Sequence, residues 1–189
     1  FLQLFLALAY AGFLLTGLTD WTNFQASLKI HAYILFSLFF IIFILAFFSL
    51  FLAHCFIALF WLYLVLLCVY MIWRDKNVDQ FGVLGFLFGI LGFEIYYLIS
   101  GNEKFLNLQI YLHIIAILLI SYRVSVVLGK EALKRENDMD EAIFVPNFIY
   151  KNIAICMTCA FLLFNIFFEK SIGTYYVAIA CGCAVLAKL

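Results

Sequence analysis

Proline occurs once in 189 residues, at Pro146, and charged residues make up only 12% of the chain. A proline in a helix interior removes a hydrogen bond and clashes with the preceding turn, so its near-absence leaves long helices uninterrupted. The charged fraction is about half the ~25% usual for soluble domains, which excludes an ordinary water-exposed surface. Net charge is zero, so there is no basic excess to draw nucleic acid, and nucleic acid is not expected as a partner. There is also no nucleophile–base motif, no phosphate loop and no paired-carboxylate arrangement, so nothing assigns a reaction and whether the chain is an enzyme stays open. The 6 cysteines lie inside apolar runs and read as small hydrophobes, not as a disulfide framework.

What the chain does hold is apolar surface. Hydrophobic residues reach 68%, with 24 Phe, and the mean hydropathy is +1.16. The lipid bilayer is therefore the expected solvent. A hydrocarbon core takes roughly 20 helical residues, and a backbone without water must satisfy its own polar groups. The runs are too long for the ~10-residue alternating strands of a barrel. The expected fold is all-α, a polytopic transmembrane helix bundle forming a single domain. Its spans are read at about 1–18, 30–50, 54–73, 81–99, 106–128, 147–168 and 172–187. Between Ile30 and Trp73 the apolar run is about twice the membrane thickness at ~1.5 Å per residue, so it must turn back, most plausibly between Phe48 and His54. The chain opens at Phe1 and stops at Leu189 inside apolar runs, without a signal peptide's basic leader, and is read as a fragment of a longer protein.

Alternating loops set the topology. One side carries Lys29, Arg74, Lys76, Lys130, Lys134, Arg135, Lys151 and Lys188, the other Lys104 and Lys170, and Arg123 lies within a helix. Basic residues, not net charge, mark the cytoplasmic side. Loops 19–29, 74–80 and 129–146 are thus expected in the cytoplasm of a multi-pass inner-membrane protein, with Trp21 and Trp73 at helix ends. Gly82, Gly85, Gly89 and Gly92 form one small-residue face on the fourth span, suited to close helix packing.

Ionisable groups at membrane depth default to functional hypotheses. Glu94 lies ~8 Å, and His113 ~10 Å, from the same boundary on neighbouring spans, with His54 slightly shallower. One reading is structural, with Glu94 neutral and bonded to His113 or to Tyr96, Tyr97 or Tyr111. A second is a proton path, as in a proton-coupled transporter or channel with a Glu94–His113 layer. A third makes His54 and His113 haem ligands, since imidazole suits iron and copper alike. His31, near Lys29 at the opposite interface, is a weaker metal candidate. Cys156 and Cys159, at i and i+3 on one helix face, offer soft ligands for copper, though core packing is the better account of them. Arg123 can snorkel to the cytoplasmic interface. A purely structural membrane subunit is the plainest alternative.

Two stretches carry a family resemblance. Gly12-Phe-Leu-Leu-Thr-Gly-Leu-Thr-Asp-Trp-Thr22 is similar to the GFLLTAVPNWT segment of the NnrS family, matching at Gly12, Phe13, Thr16, Trp21 and Thr22. Tyr122 to Leu133 resembles that family's GRVIPFFTRNAL segment through Arg123, with Lys130 and Glu131 in place of its arginine and asparagine. Asp20 likewise replaces an asparagine. The resemblance implies a bacterial inner-membrane protein of roughly twelve spans, containing haem and copper and associated with nitric oxide and nitrosative stress. It also implies a WHAHE histidine motif ahead of Phe1, so cofactor ligands are expected partly outside this stretch.

The topology is open to direct measurement. In a cysteine-free background, Lys104→Cys is expected to react with a membrane-impermeant thiol reagent from outside intact cells. Lys134→Cys should react only once the membrane is opened.

Overall fold

The computed structural model describes residues 2–21, 28–75, 81–137, 148–168 and 171–188. They form seven helices: α1 (Leu2–Trp21), α2 (Lys29–Phe48), α3 (Leu50–Asp75), α4 (Phe81–Ser100), α5 (Lys104–Asn137), α6 (Phe148–Phe167) and α7 (Ile172–Lys188). The fold is all-α, as the composition requires. Among the described residues, Lys29–Phe48, Leu50–Arg74 and Gly82–Ser100 are long and apolar enough to cross a membrane, and shorter apolar stretches lie in the other four helices. Two compact units meet within α5, the first running to Gln109 and the second starting at Ile110.

In the first unit α3 is central, packing against α1, α2 and α4, while α1 also lies along α2. The reason is the breadth of its apolar stripe. Ala53, Ile57, Phe60, Trp61, Leu64, Val65, Cys68, Met71 and Ile72 are all buried, recurring at the three- and four-residue steps that share a helix face. Tyr10 of α1 reaches into this stripe, its ring 6.1 Å from Trp61 and 6.4 Å from Phe86 of α4. By contrast α2 buries only Leu35 and Ile42. Phe36, Phe40, Phe47 and Phe48 are exposed. Such a surface would be a liability in water and is ordinary against hydrocarbon.

The expected turn-back falls at one residue. Ser49 is extended, with φ −156° and ψ 114°, and its amide closes α2 on the Leu45 carbonyl at 2.8 Å. Its hydroxyl then accepts from the Leu52 amide at 3.4 Å, which is how a serine caps the start of a helix. His54 therefore sits on the second turn of α3, not in a connecting loop. At the far end of α4, Gly101 takes φ 65°, and its amide bonds the Tyr97 carbonyl at 2.8 Å. This left-handed cap favours glycine because it has no Cβ. Asn102 Oδ1 then accepts from the Lys104 amide at 3.0 Å, so α5 starts at once and its first residues return beside α4.

Three of the four glycines on the α4 face make no close contact among the described residues. Gly82, Gly85 and Gly92 are exposed, and a Cβ added to any of them would meet nothing within 4 Å.

In the second unit α6 packs along α7. Thr158, buried on α6, donates to the Ala154 carbonyl at 2.7 Å and lies 3.3 Å from Cys181 Sγ on α7. Asn165 Nδ2 donates to Tyr111 Oη at 3.3 Å, and the Tyr111 and Phe161 rings stand at 90°, joining α5 to α6.

Burial separates two kinds of phenylalanine. Phe60 is fully buried, whereas Phe51 is 62% exposed. Phe60→Ala is expected to cost about 2 kcal/mol, the packing lost around a ~100 Å³ void at ~24 cal/mol per Å³. Phe51→Ala should stay within about 0.5 kcal/mol. Unfolding of the two variants in mixed micelles measures the difference.

Candidate functional site

The first unit contains a buried polar line built from α3, α4 and the start of α5. Glu94 stands on the inward stripe of α4 with Val83, Leu87 and Ile90, all of them buried. Its heptad-like spacing carries the carboxylate into the core with its apolar neighbours. Glu94 is 0% exposed, so both oxygens need partners. His54 Nδ1 lies 2.7 Å from Oε1, and Gln109 Nε2 donates to Oε2 at 2.8 Å. The same Gln109 nitrogen donates to the Ile90 carbonyl at 3.0 Å, which fixes its amide. One proton shared between Nδ1 and Oε1 satisfies this contact, whichever of the two atoms carries it. The imidazole is held further by Tyr97, whose ring stands at 62° to it with centroids 4.7 Å apart.

Three helices thus converge on one carboxylate. The arrangement can orient an imidazole, keep a proton between Nδ1 and Oε1, and leave Nε2 available. No hydrogen bond to Nε2 occurs among the described residues. The His54 side chain is 12% exposed. It is also the one polar side chain in the wall of a small cavity of about 110 Å³, otherwise lined by Leu4, Ile42, Ala46, Leu50, Ala53 and Ile57.

Glu94 and His54, two members of the expected polar layer, are therefore joined directly. The third, His113, is buried and belongs to the second unit. Gln109 was not singled out from the sequence. The available signal was a polar residue inside an apolar run, four positions before His113 and so on the same helix face.

The remaining candidates are dispersed. His31 Nδ1 lies 2.7 Å from Tyr63 Oη. Tyr63 is nine residues from His54 on α3, ~14 Å along the axis, so this pair belongs to a different level of the helix. Cys156 is exposed and Cys159 half-buried, and both are free thiols. No group of three or more His, Cys, Asp or Glu side chains that could hold a metal ion occurs among the described residues. Gly12 and Thr16 form one turn of α1, the Thr16 hydroxyl donating to the Gly12 carbonyl at 2.9 Å. The side chains of Trp21 and Arg123 lie outside the described residues, as do residues 22–27, 76–80 and 138–146 of the expected loops. Residues 129–137, expected in the third loop, instead continue α5 to Asn137, because Lys130-Glu-Ala-Leu-Lys-Arg-Glu136 are good helix formers.

A helical membrane protein with a carboxylate-anchored histidine in its core is the class that fold and site define. The family model described as NnrS protein matches residues 1–189. The chain belongs to the NnrS family. No curated protein and no solved structure matches it.

The polar line makes a graded prediction. Glu94→Gln keeps an acceptor for one neighbour and should be tolerated. Glu94→Leu strands His54 Nδ1 and one Gln109 donor bond, and is expected to be less stable than Glu94→Gln by about 1–3 kcal/mol. Thermal unfolding in detergent reads the order, and equal stability of the two variants would contradict it.

Proposed function

We propose that this chain is part of a bacterial inner-membrane protein that binds haem, with copper beside it, and acts in the response to nitric oxide and nitrosative stress. The observation that carries the proposal is the family match over residues 1–189. The basic loops 19–29, 74–80 and 129–146 are proposed to face the cytoplasm.

The described residues alone do not fit either cofactor. Copper needs several donors, and no cluster of three occurs among them. A cavity of about 110 Å³ at His54 is well below the ~300–1,000 Å³ of pockets that enclose drug-sized ligands, so a macrocycle does not enter it. The proposal therefore draws further donors from elsewhere in the protein, with His113 as the imidazole candidate of this chain, the space at His54 being small.

A specific observation favours a second reading. The His54–Glu94 pair, 2.7 Å apart with Glu94 fully buried, is the kind of intramembrane pair used in proton relays. It supports a proton-coupled transporter or channel, with the pair on α3 and α4 taking the place of a Glu94–His113 layer.

Spectroscopy separates the two. Purified full-length protein is expected to show a Soret band with stoichiometric iron, which His113→Ala shifts and His54→Ala leaves in place. A cofactor-free preparation that retains full proton-coupled flux in liposomes would establish the second reading instead.

A further inference from the structure

We infer that the cavity beside His54 is a binding site for a small, neutral, largely apolar molecule of a few heavy atoms. The inference does not depend on whether the protein holds haem.

Size comes first. The cavity measures about 110 Å³, comparable to an engineered apolar cavity of ~150 Å³ that stays dry and takes up benzene or xenon. Its walls come from three helices: Leu4 of α1, Ile42 and Ala46 of α2, and Ala53 and Ile57 with His54 of α3. Leu4, Ile42, Ala53 and Ile57 are themselves buried, so that part of the wall is set by core packing, whereas Leu50, which also lines the space, is exposed. Two of the wall residues are alanines, and their short side chains leave the space open where α2 faces α3.

Chemistry then narrows the guest. A buried water typically makes about three hydrogen bonds, whereas this wall offers a single polar side chain. A charged guest finds no counter-ion, because no Asp, Glu, Lys or Arg lines the space and both Glu94 oxygens are already bonded. An apolar guest gains dispersion contacts with the side chains that line the space. Since Glu94 holds Nδ1, the imidazole is fixed in orientation and Nε2 is the nitrogen left to touch the guest. The site thus combines a partly open apolar lining with one oriented imidazole. That is the composition expected of a small-molecule pocket, in which a few placed polar groups set the guest's orientation.

Xenon is the probe. Full-length protein with 15N-labelled histidine is placed in lipid nanodiscs and titrated with xenon pressure, the three histidines being resolved by single substitutions. Saturable shifts are expected at His54, with none at His31. Ala53→Leu and Ala46→Leu fill the cavity from opposite walls and should each abolish the response, and unchanged His31 signals report that the variants remain folded. An unresponsive His54, or a response that survives in both filled variants, overturns the inference. So does a nuclear Overhauser contact from His54 to lipid acyl protons that xenon does not reduce, because the occupant would then be a lipid tail.

Discussion

A buried carboxylate is the constraint around which the first unit is arranged. Leaving an ionised group unpaired in a low-dielectric interior costs several kcal/mol, and Glu94 has no exposure with which to lessen that cost. Its two oxygens are met from two directions, by α3 through His54 and by α5 through Gln109. Those bonds hold the three helices at one depth, and any change that moves one helix leaves a polar group without its partner. The apolar packing of α3 places the helices side by side, while the carboxylate decides their level along the axis. In a membrane this division is expected, since lipid is as apolar as the core and hydrogen bonds and close packing must do what water exclusion does elsewhere.

The same bonds prepare His54. A free imidazole rotates and exchanges tautomers, but one tied at Nδ1 and packed on Tyr97 offers Nε2 in one direction. Imidazoles that bind metals are commonly held this way, and so are those that pass protons. The geometry by itself does not choose between the two uses. What limits the choice is the space beside the ring. It is too small for a macrocycle and too apolar for an ion.

Family membership and local geometry thus describe different scales. The match over residues 1–189 assigns the chain as a whole, whereas the polar line belongs to one unit of it. The glycine face of α4 belongs to this contrast as well. Its spacing is that of a close helix contact, yet a Cβ at Gly82, Gly85 or Gly92 would meet nothing within 4 Å. Small residues permit an approach between helices without requiring one.

Much of the architecture was legible from composition. A chain with 68% hydrophobic residues has no choice but helices or a closed barrel in lipid, and the run lengths exclude the barrel. Seven helices follow from the positions of the polar breaks, and even the turn-back in the long apolar run could be placed between Phe48 and His54, because the run is about twice the membrane thickness and both Ser49 and His54 tolerate an interface. Glu94, His54 and His113 were equally visible, since an ionisable residue in an apolar run stands out whatever its partners. Their pairing was not visible. Depth along a helix can be counted from the sequence, but rotation about the axis and the choice of neighbour cannot. Those depend on how the buried stripe of α3 meets α4, and on the immediate return of α5 after Gly101. Sequence alone therefore determined the apolar solvent, the helices and which polar groups lie inside apolar runs. Tertiary packing decided that Glu94 bonds His54 and Gln109, and that a small cavity opens beside the imidazole, because only packed helices bring side chains 40 positions apart within hydrogen-bonding reach.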